Sequence, residues 1–135
     1  DSYSKRIRRY TPIIRTAVKP VRIKSLSAEQ IRQQESDRLR HKLSHYDHVV
    51  ALDALGDQMS SGGFAQFFNN CARQSTRQIT FVIGGPLGLD TGFLEQAHRR
   101  LSLSAMTLPH ELALVVLLEQ IYRAHTILKG EPYHK

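Results

Sequence analysis

The chain contains 135 residues, of which 41% are hydrophobic and 23% are charged, values in the ordinary range for a soluble protein. A chain of this size buries about two thirds of its unfolded surface, so residues 1–135 are expected to form one domain. No apolar run approaches the roughly 18 to 20 residues that span a bilayer, which excludes a membrane-spanning helix. The lone Cys71 excludes an internal disulfide and a cysteine zinc cluster, and with no secretory signal the cytoplasm is the expected compartment.

The net charge of +7 is concentrated at the beginning of the chain. Residues 1–24 contain eight basic side chains and one acidic side chain, whereas the remaining residues contain eleven of each. A basic end on a neutral body is typical of a polyanion binder, and RNA or DNA is favoured because no lipid-type apolar face accompanies the charge. We therefore predict nucleic-acid contacts at Arg6, Arg8 and Arg9; the alternative is a solvated basic helix without a partner.

The first half of the chain carries the periodicities of two helices and two strands. In chain order these elements are a helix over residues 1–10, a strand over 21–24, a helix from Ser27 to about Ser44 and a strand over 48–53. The second helix opens with a capping box of Ser27 and Gln30, and its thin apolar stripe predicts a place on the surface. The turn residues 54–57 should end the second strand.

The second half carries three further helices and two further strands. In chain order they are a helix opened by Ser60 and Ser61, a strand over 79–83, a helix capped by Asp90, a strand over 101–105 and a helix from near Pro109 to about Lys129. Because the connections between elements are short, the alternation predicts an α/β fold with a mostly parallel sheet and helices on both faces.

The last helix is apolar around nearly its whole circumference for three turns. A helix of this kind is buried on all sides, and one face of a sheet cannot cover it. The pattern therefore predicts a second surface against this helix, most simply a symmetry-related copy in a homodimer. A helix sunk in the core of its own chain explains the pattern equally well.

The most distinctive short motif is Gly84-Gly85-Pro86-Leu87-Gly88, which directly follows the strand over 79–83. It lacks the G-x-G-x-x-G fingerprint and the P-loop lysine, so neither a dinucleotide site nor an NTPase is supported. A second loop follows the strand over 101–105, and ligands of open α/β sheets bind beyond the carboxyl ends of strands. The two loops therefore outline a small-molecule pocket, although a glycine turn by itself is more often structural.

A histidine-rich segment and the carboxyl-terminal tail contain further functional candidates. His41, His45 and His48 have a spacing that resembles a metal-ligand cluster, but no thiolate or well-placed carboxylate accompanies them. They are interpreted as surface residues, and no metal site is predicted. In the tail, Tyr133 offers a ring and a hydroxyl, and His134 offers a group that titrates near neutral pH. A frayed tail is the alternative.

Five segments carry a resemblance to a known family. They are residues 52–56, 81–88, 101–110, 119–124 and 133–135. In order and spacing they resemble the bacterial large-subunit ribosomal RNA pseudouridine N3-methyltransferases of the SPOUT superfamily. The match covers essentially the whole chain, and five motifs in register are far more specific than any one of them. Family members begin with an additional strand, so we expect that an N-terminal strand is missing from this sequence.

The resemblance implies an α/β domain whose carboxyl-terminal segment forms a trefoil knot. It also implies S-adenosylmethionine bound in the knot and a homodimer packed through the last helix. By motif position, the residues implied to contact the cofactor or to shape its loop are Leu52, Gly84, Gly85, Gly88, Leu103, Ser104, Ala105, Met106, Thr107 and Leu108. The implied substrate is a pseudouridine in helix 69 of 23S rRNA on the assembled ribosome.

Methyl transfer to N3 of pseudouridine needs help from the protein, because only the deprotonated nitrogen is a good nucleophile. We hypothesise that Tyr133 and His134 lie over the target base, with His134 as the proton acceptor. Arg123 or Lys135 would stabilise the developing charge, and Lys135 is also a candidate phosphate contact. Two alternatives remain open: a non-catalytic RNA-binding module that kept the fold, and a flavodoxin-like or nucleotide-binding enzyme.

Overall fold

The computed structural model describes residues 2–135, and these residues contain a three-stranded parallel sheet. The strands are β1 (Asp47–Gln58), β2 (Gln78–Val82) and β3 (Arg99–Ser102), in the spatial order β2-β1-β3. The central strand β1 pairs in parallel with both neighbours, Ala51 lying opposite Val82 on one side and opposite Arg100 on the other. The parallel sheet expected from the alternation of elements is confirmed.

Five helices occur in residues 2–135: α1 (Ser2–Ile7), α2 (Ala28–Arg40), α3 (Ser61–Arg73), α4 (Thr91–Gln96) and α5 (His110–Leu128). Ser27, Ser60 and Asp90 cap α2, α3 and α4 by accepting backbone N–H groups, as the sequence predicts. α5 is followed by Gly130, whose φ of 69° residues with a side chain rarely adopt. None of the helices between residues 2 and 135 has the length and hydropathy to cross a bilayer.

Side chains of the sheet alternate between two faces, and helices cover both. On one face, Val50 belongs to a core shared with buried residues of α1, α3 and α5. On the other face, Ala51 and Val82 pack with Phe93 of α4 and with the partly buried Leu39 of α2. The expectation of helices on both faces is therefore confirmed.

Most of the apolar circumference of α5 is buried in the core of its own chain. Its buried residues are Ala113, Leu117, Leu118, Ile121, Ala124 and Thr126, and the helix packs against α3 and α1. Leu112 and Val115 remain 47% and 50% exposed. Burial in the chain's own core thus explains most of the apolar circumference, and an exposed strip remains at these two residues.

The predicted strand over residues 21–24 is wrong. The backbone N–H of Val21 donates to Oε2 of Glu35 over 3.0 Å, and Nη1 of Arg38 donates to the carbonyl of Lys19 over 2.9 Å. Side chains of α2 therefore satisfy backbone groups that a neighbouring strand would otherwise satisfy. Alternating hydrophobicity does not show whether the backbone groups of a segment pair with a neighbouring strand or with side chains of a helix.

The predicted end of the second strand at residues 54–57 is also wrong. β1 continues to Gln58, with a register shift between Leu52 and Asp57. A Cβ at Gly56 would lie 2.8 Å from the backbone carbonyl of Arg100, so the strands approach closely at this point. The turn signal in the sequence therefore marks an irregularity within β1 and not its end.

The last strand is displaced relative to the prediction of residues 101–105. β3 ends at Ser102, whose hydroxyl donates to the carbonyl of Ser104 over 3.0 Å. The Ser104 hydroxyl in turn accepts the backbone N–H of Met106 over 3.0 Å. Serine hydroxyls thus give this backbone local partners that replace the pairing of a sheet.

Candidate functional site

The carboxyl-terminal tail, residues 131–135, packs against α5. The Tyr133 hydroxyl donates to Oε2 of Glu119 over 2.9 Å. The Tyr133 ring meets the ring of Tyr122 edge to face, with centroids 4.7 Å apart. These contacts hold the tail in a defined position, so the alternative of a frayed tail does not apply.

Arg123 connects the tail to α5. Its Nε and Nη2 atoms donate to the Glu119 carboxylate over 2.8 to 3.2 Å, and its Nη1 lies 3.0 Å from Nδ1 of His134. The guanidinium also lies over the Tyr133 ring, 4.8 Å from its centroid. The three predicted catalytic residues therefore come together around Glu119. We call Glu119, Tyr122, Arg123, Tyr133 and His134 the tail cluster.

The Arg123 contact fixes the hydrogen-bonding state of His134. A guanidinium carries donors only, so Nδ1 of His134 accepts, and the neutral ring then carries its hydrogen on Nε2. His134 is exposed to solvent. In this arrangement its Nε2–H group can donate to a bound molecule.

The tail cluster shifts the protonation of three of its groups. Burial alone would raise the pKa of Glu119, but hydrogen bonds from Arg123 and Tyr133 outweigh it and lower that pKa. Burial and the hydrogen bond to Glu119 raise the pKa of Tyr133 to about 12. The hydrogen bonds to Glu119 raise the pKa of Arg123. Tyr133 is therefore a neutral phenol at physiological pH and cannot serve as a base there.

Arg6 brings the basic beginning of the chain to the tail cluster. Its guanidinium lies 5.6 Å from the ring centroid of Tyr122 and 5.8 Å from that of Tyr3. The Tyr10 hydroxyl donates to Oε2 of Glu131 over 2.7 Å, which joins the segment after α1 directly to the tail. The other predicted RNA-binding residues are exposed: Arg8, Arg9 and Lys135.

Glu119 and Tyr122 were not predicted as site residues. Glu119 and Arg123 are spaced i, i+4, a separation that favours an ion pair on one face of a helix. This signal is present in the sequence, but the apolar pattern of α5 dominates it. Tyr122 carries no local signal, because its role depends on contacts from both ends of the chain.

The glycine motif forms a tight turn after β2. Gly88 has a φ of 80°, and its N–H donates to the carbonyl of Gly85 over 2.9 Å. A Cβ at Gly84 would lie 2.9 to 3.0 Å from backbone atoms of Gly88 and Leu89. The turn therefore requires glycine at residue 84 for space and at residue 88 for conformation.

α2 covers this turn with polar side chains. Nε of Arg32 donates to the carbonyl of Leu87 over 2.8 Å, and the Ser36 hydroxyl accepts the N–H of Asp90 over 2.9 Å. Glu35 and Ser36 are 8% and 0% exposed. The thin apolar stripe predicted a surface helix, and this is confirmed, because Glu35 and Ser36 are the only buried residues of α2. The stripe does not reveal that these two buried polar groups anchor the helix.

The segment after β3 borders a cavity of about 210 Å³. Leu103 lines it together with Ser60, Phe64 and Gln120, whereas Met106 is 79% exposed. A separate cleft of about 440 Å³ lies between residues 55–57 and residues 94–100. Of the ten residues predicted to contact the cofactor, Leu103 alone lines either of these two spaces. The structure therefore does not gather those residues around one of them.

The three histidines with metal-ligand spacing, His41, His45 and His48, differ in their exposure to solvent. His41 and His45 are exposed, as surface residues should be, whereas His48 is half-buried and stacks on His98 with centroids 4.7 Å apart. Burial and the neighbouring His98 lower the pKa of His48. Within residues 2–135, no three His, Cys, Asp or Glu side chains are grouped so that they could hold a metal ion.

The parallel sheet, the glycine turn after β2 and the docked tail agree with the family suggested by the sequence motifs, and a comparison with family models establishes it. The model described as "Predicted SPOUT methyltransferase" matches residues 1–134. The chain belongs to the SPOUT methyltransferase family.

Within that family, the chain is similar to proteins named ribosomal RNA large subunit methyltransferase H. It is 42% identical to the protein of Ruminiclostridium cellulolyticum, over 100% of this chain and 87% of the relative. Identity with the protein of Geobacter metallireducens is 42%, over 99% and 86% of the two chains. Identity with the protein of Gemmatimonas aurantiaca is 45%, over 98% and 86%.

Proposed function

We propose that this protein uses S-adenosylmethionine to methylate N3 of a pseudouridine in helix 69 of 23S rRNA, on the assembled ribosome in the cytoplasm. Membership of the SPOUT family and the names of relatives about 40% identical over the full chain support this proposal. The observation that carries it is the tail cluster beside the basic segment. Arginine, histidine and tyrosine side chains converge there on a half-exposed surface suited to a flat base whose charge must be stabilised.

The glycine turn after β2 and the segment after β3 fit a nucleoside cofactor in their chemistry. The glycine turn at residues 84–88 allows close backbone approach, and the exposed side chain of Met106 offers apolar surface. We assign the adenosyl group to Leu52, to this turn and to residues 103–108. Closure of residues 103–108 towards the turn is part of the proposal, because only Leu103 among them lines either of the two spaces described above.

The bound cofactor supplies an electrophilic methyl group, and the chain holds the target base in line with it. N3 must lose its proton for the reaction to proceed. His134 can accept that proton through Nδ1 only after Arg123 moves away from this atom. Without such a movement, the Nε2–H group of His134 stabilises the negative charge that develops on a carbonyl oxygen of the base, and the proton passes to water. We favour this second role because it uses the observed contacts.

Single-turnover rates of two His134 variants distinguish these roles. Glutamine can donate an N–H group but cannot accept a proton, so His134→Gln should keep most of the wild-type rate if His134 acts as a donor. His134→Ala should lose it. Equal and large losses in both variants, with a rate that follows the titration of a histidine in the wild type, would assign His134 as the base.

We also propose a homodimer packed through α5 and a trefoil knot in the carboxyl-terminal segment. The exposed Leu112 and Val115 support the dimer, because residues spaced i, i+3 form one apolar strip on a helix. The knot is proposed from family membership, and the position of β3 beside β1, on the side opposite β2, is compatible with it. A crystal structure with the cofactor bound tests both.

The activity is tested by mass spectrometry of 23S rRNA after incubation of unmodified ribosomes with the protein and S-adenosylmethionine. The expected product is one methylated pseudouridine. A non-catalytic RNA-binding module is the competing function, and it is favoured by the finding that neither the 210 Å³ cavity nor the 440 Å³ cleft joins the predicted cofactor residues. Calorimetry separates the two, since a module would bind ribosomal RNA but not millimolar S-adenosylmethionine.

A further inference from the structure

The glycine turn lies against a buried carboxyl group that the proposed reaction does not use. Glu35 on α2 is 8% exposed, and its Oε2 accepts the N–H of Val21 over 3.0 Å. Its Oε1 atom is buried without a hydrogen-bond partner, and it is the one such side-chain atom in residues 2–135. Buried polar atoms in folded proteins are nearly always paired, so an unpaired one requires an explanation.

The free oxygen points at the glycine turn. Oε1 lies 2.8 Å from the position that a Cβ at Gly85 would occupy, and the carboxyl carbon lies 3.4 Å from it. The oxygen thus fills the space that a side chain would take. This contact places the glycine turn, with its backbone N–H groups, directly beside the unpaired acceptor.

The glycine turn can supply a donor for Oε1 by changing its conformation. Gly84 and Gly85 lack side chains, so their backbone N–H groups can reorient at low cost. The rest of the turn is already fixed to α2, through Arg32 at Leu87 and Ser36 at Asp90. A reorientation at residues 84 and 85 therefore changes only that part of the turn, because Leu87 and Asp90 stay bonded to α2.

We infer that Glu35 is a positioning residue for the cofactor loop, and that its Oε1 accepts an N–H group of Gly84 or Gly85 when the loop closes on S-adenosylmethionine. The inference rests on the proposed function. The open loop leaves a buried acceptor unpaired and the closed loop pairs it, so Glu35 favours the closed loop. A ligand that prefers the closed loop then binds more tightly because Glu35 is present.

The test measures S-adenosylmethionine affinity by calorimetry, with the melting temperature of the cofactor-free protein measured in parallel. Glu35→Gln keeps the acceptor for Val21 and replaces the free acceptor with an N–H₂ donor. We expect the cofactor-free melting temperature to stay near that of the wild type and the affinity to fall about tenfold or more, as for a lost hydrogen bond to a charged group. The matched control is Glu29→Gln, an exposed carboxyl on the same helix.

Gly85→Ala provides a second, independent variant, because its Cβ displaces Oε1 without removing the carboxyl group. It should weaken cofactor binding in the wild-type background and cost less in a Glu35→Ala background, where the oxygen is absent. Wild-type affinity in Glu35→Gln or in Gly85→Ala would overturn the inference. Equal cofactor-induced stabilisation of wild type and Glu35→Gln would overturn it too, by reducing Glu35 to a structural role. Failure of the wild type to bind would instead refute the proposed function.

Discussion

Glu119→Gln tests whether charge holds the tail cluster together. The Glu119 side chain is 17% exposed and accepts hydrogen bonds from both Arg123 and Tyr133. The amide keeps the shape of the carboxylate but removes the negative charge and turns one acceptor into a donor that faces other donors. A hydrogen bond to a charged group contributes about 1.5–3 kcal/mol. Since one acceptor position survives in glutamine, we expect a loss of about 2 kcal/mol in tail docking, which is roughly thirtyfold in the docking equilibrium.

The assay follows amide hydrogen exchange of residues 131–135 together with single-turnover methylation of ribosomes. In Glu119→Gln, the tail should lose protection and the rate should fall at least about tenfold, because Tyr133 and His134 are no longer held beside Arg123. The melting temperature should change little, since the tail adds few residues to the core. Glu111→Gln, an exposed carboxyl in the first turn of α5, is the matched control. A tail that stays protected in Glu119→Gln would refute the reasoning.

Three further predictions concern other features of the structure. The pKa of Tyr133 is raised from 10.0 to about 12, so its contribution to tail docking should be complete below pH 10 and lost as the pH rises through about 12. The measurement is the difference in phenolate absorbance between the wild type and Tyr133→Phe, which should show a titration near pH 12. Gly56→Ala should destabilise the protein by about 1–3 kcal/mol in urea unfolding, because its Cβ would meet the Arg100 carbonyl at 2.8 Å. Gly62→Ala, whose Cβ would have nothing closer than 4.0 Å, should be neutral or stabilising, and equal losses in both variants would contradict the steric account. Val115→Lys should convert the proposed homodimer to a monomer in light scattering, and an unchanged dimer mass would remove α5 as its interface.

The sequence predicted the starts of those helices whose capping bonds join residues close together in the chain. The capping residues Ser27, Ser60 and Asp90 each bond to backbone within three residues, so their positions in the sequence suffice to place the starts of α2, α3 and α4. The segment over residues 21–24 failed because the partner of Val21 is a side chain fourteen residues away. Alternation records that a segment is half-buried but not what pairs its backbone.

The candidate site was predictable only in part for the same reason. The motifs identified Arg123, Tyr133 and His134 as candidates, and the structure brings them together through Glu119. The i, i+4 spacing indicates the pair of Glu119 and Arg123, but nothing in the residue pattern indicates that Glu119 also accepts from Tyr133, because that bond spans fourteen positions along the chain. Likewise, Glu35 interrupts an apolar stripe and would ordinarily be assigned to solvent.

The packing of both chain ends on α5 constrains how substrate binding and chemistry are connected. Arg6 lies over the ring of Tyr122, and Tyr122 meets the ring of Tyr133 edge to face, so these side chains connect α1 to the tail through a series of contacts. A phosphate that attracts Arg6 away from Tyr122 would remove a cation from the same surface that holds Tyr133 beside Arg123. The proposed RNA-binding segment and the proposed catalytic tail therefore both contact Tyr122, and we expect that a change in one contact affects the other.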